Sequence, residues 1–408
     1  ARLLGHKNYA EYVLEHRMAQ NSDRVYNLLN QLLEAYKPTA LREIKQLQAF
    51  AEKKEGHPVE LMPWDYSYYS TLQKDELYDL NDEMLKPYFE LEQVKKGVFG
   101  LATRLYGLTF KKNSEIPVYH PEVETFEVFD EDGSYLGVLY TDFYPRSTKQ
   151  GGAWMTSFKD QWITREGENS RPHISLVMNF TRPTESTPAL LTYDEVETFL
   201  HEFGHALHGL MANSRYESLS GTNVYRDFVE LPSQLMENWL PEQEFLETFA
   251  HHHLTGEVLP DSLIQKIRNT QRYHVGYHCV RQLTFGMLDM AWHTQTEKIE
   301  DITAFEQNAI SPTQLLPVID GTLISSQFSH VFGGGYAAGY YGYKWAEVLD
   351  ADAFSLFKEN GIFDKKTAEA FRKNILEKGD TEEPMTLYVR FRGREPEIEA
   401  MMRRDGIK

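Results

Sequence analysis

Apolar residues recur every three to four positions along most of the chain, the spacing of one face of an α-helix. One such run covers residues 7–56, and a second covers residues 72–106. The pattern becomes helical again from about residue 190 onward, where a stretch rich in glycine and tyrosine, residues 333–343, interrupts it. The spacing therefore predicts a mainly α protein.

Residues 116–180 carry a different pattern, in which short runs are rich in β-branched and aromatic residues. Two of these runs, Thr125–Phe129 and Tyr135–Tyr140, flank Asp130–Ser134, which is typical of a hairpin turn. Ile174–Phe180 has the composition of a third strand. These runs predict a small antiparallel β-sheet. We expect an insert in the helical body, because no linker rich in proline or serine flanks it.

Composition and charge narrow the set of partners. Of the 408 residues, 41% are hydrophobic, which is enough for a large core. The net charge of −19 argues against binding to nucleic acid or an anionic membrane, since either needs a basic face. No apolar stretch has the length needed to span a bilayer. A single cysteine, Cys279, excludes an intramolecular disulfide and is expected to be an inert buried thiol. We expect a cytoplasmic monomer.

The first chemical motif lies on a predicted helix that starts at the capping-box sequence Thr192–Glu195. His201 and His205 are four residues apart, so they share one helix face about 6 Å apart along the axis. Two imidazoles there can bind one tetrahedral ion at roughly 2 Å each. Glu202 can then take a proton from a metal-activated water, as in zinc peptidases. The alternative is a pair of hydrogen-bonded histidines, and the downstream carboxylates count against it.

The third metal ligand must come from elsewhere in the chain. His208 lies about 10 Å from His201 along the helix axis, so we expect it to pack or to support the site. The downstream acidic candidates are Glu217, Asp227, Glu230 and Glu237. Tyr225–Gln234 has a helical pattern, and a carboxylate from it would complete a His2Glu site with one open position. Spacing alone does not choose between Asp227 and Glu230.

Two further segments are candidates for contact with a peptide. His173–Phe180 precedes the metal-site helix and is predicted to be an edge strand, to which an extended peptide can add. Gly151–Trp154 predicts a loop in which the backbone of Gly152 and Ala153 approaches the ligand. Its alternative is an ordinary turn.

Residues 329–343 combine His330, three consecutive glycines and several tyrosines. Tyr336, Tyr340 and Tyr343 have the spacing of one helical face, which is most often a core or interface pattern. Following a glycine-rich stretch, however, they are well suited to donate hydrogen bonds to an oxyanion. The segment lacks the lysine and hydroxyl residues of a phosphate-binding loop, so no nucleotide site is predicted.

These motifs resemble the thimet oligopeptidase (M3) family of zinc metallopeptidases. The resemblance extends over most of the chain and depends on three motifs: His201–His208, Ser220–Thr222 and Asp227–Gln234. It implies a zincin-like helical metallopeptidase with the small sheet beside the zinc-binding helix. It also implies one Zn²⁺ per chain, Glu230 as the third ligand, and Asp227 as a support hydrogen-bonded to a ligand histidine.

The same resemblance implies that His330, Tyr336 and Tyr343 contact the transition state and that Tyr340 contacts the substrate. Tyr336 follows His330 by six residues, a variant most like the bacterial peptidyl-dipeptidase Dcp branch. That branch implies release of C-terminal dipeptides from short peptides. Arg281 is the predicted anchor for the free carboxylate of the peptide.

Two alternatives stay open: an endo-acting oligopeptidase with the same zinc site, and a non-catalytic zinc-containing scaffold that binds peptides. Residues 1–408 are expected to form the catalytic region of such a peptidase, with a β-rich insert at about 116–180 and zinc helices at about 193–240. The N-terminal region of full-length relatives is expected to be absent. His251–His253 are expected to lie on a solvated helix surface rather than to bind a metal.

Overall fold

A computed structural model describes residues 1–408 and begins with five helices. These are α1 (Tyr9–Leu14), α2 (Ser22–Glu55), α3 (Tyr66–Tyr78), α4 (Asp82–Leu85) and α5 (Leu91–Tyr106). The side chain of Asn21 accepts the Arg24 N–H at the start of α2, and Gly56 ends α2 with φ 75°. The first predicted helical run is therefore two helices.

Seven strands follow between α5 and the metal-site helix. They are β1 (Thr109–Lys112), β2 (Glu124–Phe129), β3 (Tyr135–Asp142), β4 (Trp154–Lys159), β5 (Trp162–Ile163), β6 (Asn169–Ser170) and β7 (His173–Val177). Five of them form one sheet in the order β1-β2-β3-β7-β4, and β5 pairs with β6 in a separate ribbon.

The sheet is mixed rather than wholly antiparallel as predicted. The β2–β3 hairpin forms as expected, but β7 runs parallel to β3, with Tyr140 opposite Ser175. The connection from β3 to β7 is long enough for the chain to cross over and return in the same direction. The prediction that His173–Phe180 forms the edge is wrong, because β4 pairs with the outer side of β7 and is itself the edge strand.

The rest of the chain is helical. Its helices are α6 (Tyr193–Leu210), α7 (Leu231–Glu237), α8 (Gln243–Leu246), α9 (Asp261–Thr270), α10 (Val275–His293), α11 (Ile302–Ile310), α12 (Ser329–Phe332), α13 (Gly342–Asn360), α14 (Lys365–Phe371), α15 (Pro384–Arg392) and α16 (Ile398–Arg404). No helix has both the length and the apolar character required to cross a bilayer.

Two large hydrophobic cores hold these elements together. The larger contains 56 buried residues and joins the sheet to α5, α6, α7 and several C-terminal helices, with Phe199, Phe203 and Trp239 at its centre. The second joins α2 to α10, α13 and α16, and it includes Cys279, which is a buried free thiol. The turn that contains Ala338 and Tyr341 belongs to the second core, whereas Tyr340 packs against a separate small cluster of Leu288, Phe328 and Val331.

Candidate metal centre and active-site cleft

His201, His205 and Glu230 come together at one point. The Oε2 atom of Glu230 lies 3.3 Å from Nε2 of His201 and 3.2 Å from Nε2 of His205. One ligand atom from each residue lies within 4.8 Å of the other two. Two imidazoles and a carboxylate that converge in this way form a donor set suited to a divalent metal ion.

Local sequence explains why α6 begins where it does. The Thr192 hydroxyl accepts the Glu195 N–H at 3.1 Å, and the Glu195 carboxylate accepts the Thr192 N–H at 2.9 Å. This reciprocal cap satisfies two N–H groups that would otherwise lack partners at the start of the helix. The predicted capping box is therefore present.

A glycine explains how α7 approaches α6 so closely. A Cβ atom at Gly204, which lies between the two histidines, would be 2.4 Å from the carbonyl oxygen of Pro232. Only glycine permits this contact between the two backbones. The contact brings Glu230, the residue just before α7, onto the histidine face of α6.

The two Glu230 oxygens have different partners. Oε2 faces the histidines and accepts a hydrogen bond from the Ser233 hydroxyl at 3.0 Å, whereas Oε1 accepts one from the Tyr336 hydroxyl at 2.8 Å. Burial raises the pKa of Glu230, but the adjacent His205 and His201 outweigh it and hold the pKa well below its usual range. Glu230 is therefore an anionic ligand candidate.

Glu237, not Asp227, contacts a histidine of the candidate metal site. Its Oε1 atom lies 2.5 Å from Nδ1 of His201. Burial lowers the pKa of His201, but the hydrogen bonds to Glu230 and Glu237 outweigh it and raise the pKa well above its usual value. A carboxylate on the far nitrogen of a ligand histidine fixes its tautomer and ring orientation. The only signal in the sequence was the position of Glu237, seven residues after Glu230.

The expectation for Asp227 is wrong. Its carboxylate accepts hydrogen bonds from the backbone N–H groups of Met18 and Ala19, each at 3.0 Å, and from the Tyr341 hydroxyl at 2.7 Å. None of these partners is a ligand histidine. Asp227 precedes Glu230 by three residues but faces the N-terminal segment, so it ties that segment to the metal-site region.

Glu202 borders the same cavity as the three ligand candidates. The cavity has a volume of about 300 Å³. Glu202 is 6% exposed, and its Oε2 atom has no hydrogen-bond partner. Burial raises the pKa of this carboxyl, although the adjacent histidines oppose the shift. A carboxylate oxygen that is free beside the ligand candidates is placed to exchange a proton with a water there.

His330, Tyr336 and Tyr343 also line this cavity. The Tyr336 and Tyr343 rings stack with their centroids 5.2 Å apart, and the His330 ring lies 5.5 Å from that of Tyr336. Burial, followed by the nearby Glu230 charge, raises the pKa of both tyrosines. Both therefore stay protonated and keep their donor hydrogens.

The tyrosines do not share one continuous helix, as their spacing predicted. A turn covers residues 337–341, and α13 begins at Gly342. Tyr340 packs against Tyr343 at 5.3 Å, but it does not line the cavity, because its hydroxyl donates to Gln282 at 2.9 Å. The cluster is therefore built by a turn rather than by helical periodicity.

The other predicted contacts are divided between the cavity and its surroundings. Ala153 borders the cavity, whereas Gly152, with φ 91°, does not, and its carbonyl accepts a hydrogen bond from Asn179 at 2.7 Å. Arg281 is exposed on α10 above the Phe285 ring and lies outside the cavity. The structure therefore does not place Arg281 near the ligand candidates.

The arginine that does line the cavity is Arg226, which the sequence reasoning did not single out. Its guanidinium carbon lies 5.0 Å from the Tyr336 ring centroid. A weak signal was present, because Arg226 precedes Glu230 by four residues. A cation at this position gives the cavity an electrostatic contact for an anionic group.

His208 and His251–His253, which the sequence also singled out, lie outside the converging group of His201, His205 and Glu230. His208 is fully buried, and neither ring nitrogen has a hydrogen-bond partner. Burial, followed by the charge of His205, lowers the pKa of His208 to about 3. His251–His253 lie beside the bridge between His251 and Val258 rather than on a helix, and they do not form a group of converging ligands.

Comparison with known proteins identifies the family. The sequence profile of peptidase family M3 matches residues 1–407. The chain belongs to this family. M3 members are metal-dependent peptidases, and His201, His205 and Glu230 form the group in this chain that can hold the metal.

Relatives in this family carry two kinds of name. Oligopeptidase A of Escherichia coli K12 is 43% identical over 100% of this chain and 60% of its own length. The dipeptidyl carboxypeptidase of the same strain is 39% identical, with the same coverage. The chain thus spans about 60% of the length of the curated relatives. These identities do not favour the Dcp branch over the oligopeptidase branch.

Solved structures support the zincin-like fold. The M32 carboxypeptidase from Deinococcus radiodurans R1 matches with a TM-score of 0.55 at 14% identity, covering 97% of this chain and 68% of that one. PZ peptidase A with an inhibitor matches with a TM-score of 0.54 at 15% identity, covering 100% of this chain and 62% of that one. At such low identity the matches concern the fold alone.

Proposed function

We propose that this chain hydrolyses peptide bonds in short peptides with one Zn²⁺ held by His201, His205 and Glu230. The main support is the convergence of these three side chains beside the unpartnered oxygen of Glu202. Two histidines and one carboxylate are the protein ligands of many catalytic zinc sites. A zinc ion bound there supplies a Lewis acid for the scissile carbonyl and lowers the pKa of water.

In this proposal Glu202 is the general base. Its free oxygen takes a proton from the attacking water and later delivers that proton to the leaving amine. The raised pKa suits both steps, because a carboxyl that is too acidic holds a proton poorly. Glu202 follows His201 directly, so it can work beside the metal without being a ligand.

His330, Tyr336 and Tyr343 are the proposed donors to the oxyanion of the tetrahedral intermediate. All three line the cavity, and both tyrosines keep their hydroxyl protons. The Tyr336 hydroxyl donates to Glu230 in this structure, so it would turn from that carboxylate to the oxyanion during the reaction. Donors fixed before the reaction stabilise charge that develops in the transition state. Tyr340 supports this group by packing against Tyr343.

The β4 edge is the proposed surface for the peptide backbone. Its free N–H and C=O groups can pair with an extended peptide. Ala153, Trp154 and Met155, at the start of the strand, border the cavity. A peptide paired with β4 would thus pass the ligand candidates. Gly152 is proposed to shape the loop that leads into this strand.

A peptide mixture followed by mass spectrometry tests the proposal. The zinc-loaded wild type should cleave the peptides, and Glu202→Gln should lower the rate by about 10²–10⁴-fold because it removes the general base. Asp194→Asn, which changes an exposed acid on the same helix, is the matched control and should keep the wild-type rate. Uncleaved peptides with both wild type and Glu202→Gln would favour a non-catalytic peptide-binding scaffold, whereas equal cleavage by both would contradict the role of Glu202.

The mode of cleavage is a finer proposal. Release of C-terminal dipeptides remains the prediction, and internal cleavage is the second candidate, because Arg281 lies outside the cavity and the relatives include an oligopeptidase A. The two modes differ on a peptide with an amidated C-terminus. Dipeptide release should stop on that substrate, whereas internal cleavage should continue at the same rate.

A further inference from the structure

The turn that carries the active-site tyrosines wraps around one buried carboxylate. Asp289, on α10, accepts hydrogen bonds from three consecutive backbone N–H groups, those of Ala338 at 2.8 Å and of Gly339 and Tyr340 at 2.9 Å. Asp289 is fully buried. Nδ1 of His293, four residues later on α10, also lies 2.8 Å from this carboxylate.

The backbone conformation of the turn is suited to binding the Asp289 carboxylate. Ala338 has φ 49°, in the left-handed region that residues other than glycine seldom adopt. Successive N–H groups around such a residue form a concavity that binds anions. Here the anion is the Asp289 carboxylate, so the turn depends on a charge supplied by another element of the fold.

A hydrogen bond from the side chain of Tyr341 also holds this turn. The Tyr341 hydroxyl donates to Asp227 at 2.7 Å, and Tyr341 is 1% exposed. Tyr336 precedes these contacts and Tyr343 follows them, so both cavity-lining tyrosines are attached to the ends of one fixed turn. No side-chain bond from Asp289 reaches the metal-ligand candidates themselves.

We propose that Asp289 is a positioning residue for peptide hydrolysis: it fixes the 338–340 turn and thereby sets the hydroxyls of Tyr336 and Tyr343 over the reaction site. This inference rests on the proposed peptidase function. Asp227, through Tyr341, is the second attachment of the same turn. A displacement of about 1 Å in a catalytic group can lower a rate by about 100-fold.

Hydrogen exchange tests the holding of the turn without any need for catalysis. In Asp289→Asn, the amide group can accept through one oxygen only, so at least one N–H of the turn loses its acceptor. Exchange of the 338–340 amides should become at least about ten times faster, while exchange in α6 stays unchanged. Asp352→Asn is the matched control, because Asp352 is equally buried and binds Tyr388, Arg392 and Arg394 away from the turn. Unchanged exchange in Asp289→Asn would overturn the proposal.

Steady-state kinetics test whether the position of the 338–340 turn affects catalysis. Asp289→Asn should lower kcat by about 10–100-fold with little change in KM and with unchanged zinc content. In a Tyr343→Phe background the same substitution should lower kcat by a smaller factor, since it acts through that hydroxyl. An equal factor in both backgrounds, or a normal kcat despite faster exchange, would overturn the proposal.

A milder variant keeps the test decisive if Asp289→Asn does not fold. Tyr341→Phe removes one hydroxyl and leaves Asp227 with its two backbone partners. It should raise exchange at 338–340 and lower kcat by several-fold, and no change in either would count against the proposal.

If wild type cleaves no peptide, the peptidase function and the catalytic role of Asp289 fall together. If wild type is active and both turn variants match it, only the inference about Asp289 fails.

Discussion

At the scale of single residues, Glu237 holds one histidine of the candidate metal site. It contacts Nδ1 of His201 at 2.5 Å and is the partner that orients this ring. Glu237→Gln removes the charge, so zinc affinity should fall about 10–100-fold. Competition with a chromophoric chelator measures the affinity. Glu244→Gln, an exposed acid on the next helix, is the control, and equal affinities for both variants would contradict the role of Glu237.

We expect His208 to lower the stability of the protein at acid pH. Its pKa is lowered to about 3 by burial, whereas an unfolded histidine titrates near 6.5. The unfolded chain therefore binds a proton first, and the stability that neutral His208 contributes is lost as pH falls below about 6.5. Replacement by leucine removes this loss.

As pH falls from 6.5 towards 4, the unfolding free energy of wild type should decrease relative to that of His208→Leu. The slope of this free-energy difference against pH should approach about 1.4 kcal/mol per pH unit. Urea unfolding at a series of pH values gives this difference directly. A difference that stays constant over the same range would show that His208 does not titrate as described.

At the scale of elements, the α6–α7 contact determines the geometry of the ligands. Gly204→Ala would place a methyl group 2.4 Å from the Pro232 carbonyl, so α7 must move and carry Glu230 with it. We expect a loss of about 1–3 kcal/mol in stability, together with weaker zinc binding. Gly100→Ala, on the exposed side of α5 with no neighbour within 4 Å, should instead stabilise the chain by about 0.5–1 kcal/mol. Thermal unfolding and zinc titration of both variants check this contrast.

Some helices and strands could be predicted from their own sequence, and the pairing of others could not. The α6 helix could be predicted completely, because its cap, its apolar face and its histidine spacing are all local. The β3–β7 pairing could not, since alternation of apolar residues defines the faces of a strand but not its neighbours. The same reason explains the wrong edge strand.

The residues of the candidate site likewise divide into those that the sequence predicts and those that it does not. His201, Glu202 and His205 follow from helix periodicity, whereas the choice of Glu230 needed the family resemblance. The roles of Asp227 and Asp289 depend on contacts with residues more than 45 positions away, with Met18, Ala19 and Ala338 among them. No local pattern encodes such contacts.

At the scale of the whole molecule, we expect the two large hydrophobic cores to form without the metal. The two large hydrophobic cores form from helix and sheet contacts that are separate from the ligand oxygens and nitrogens. If the proposed function is correct, removal of zinc by a chelator should abolish hydrolysis and leave the far-ultraviolet circular dichroism spectrum nearly unchanged. The melting temperature should fall, because a ligand at 1,000 times its Kd contributes about 4 kcal/mol.

Added zinc should restore both activity and melting temperature. The comparison requires the same protein before chelation, after chelation and after reloading, with metal content measured each time. Loss of the helical signal on chelation would mean that the ion is required for folding, contrary to this view of the cores.

The distance in sequence between Glu230 and Tyr336, 106 residues, also bears on how the protein is made. Ribosomes add about 5–20 residues per second, so the last ligand emerges roughly 5 to 20 s before the tyrosine that contacts it. A nascent chain thus presents its histidines and Glu230 well before the turn around Asp289 exists. If the proposed function is correct, an unfinished chain can already bind the ion but still lacks the tyrosines that complete the cleft.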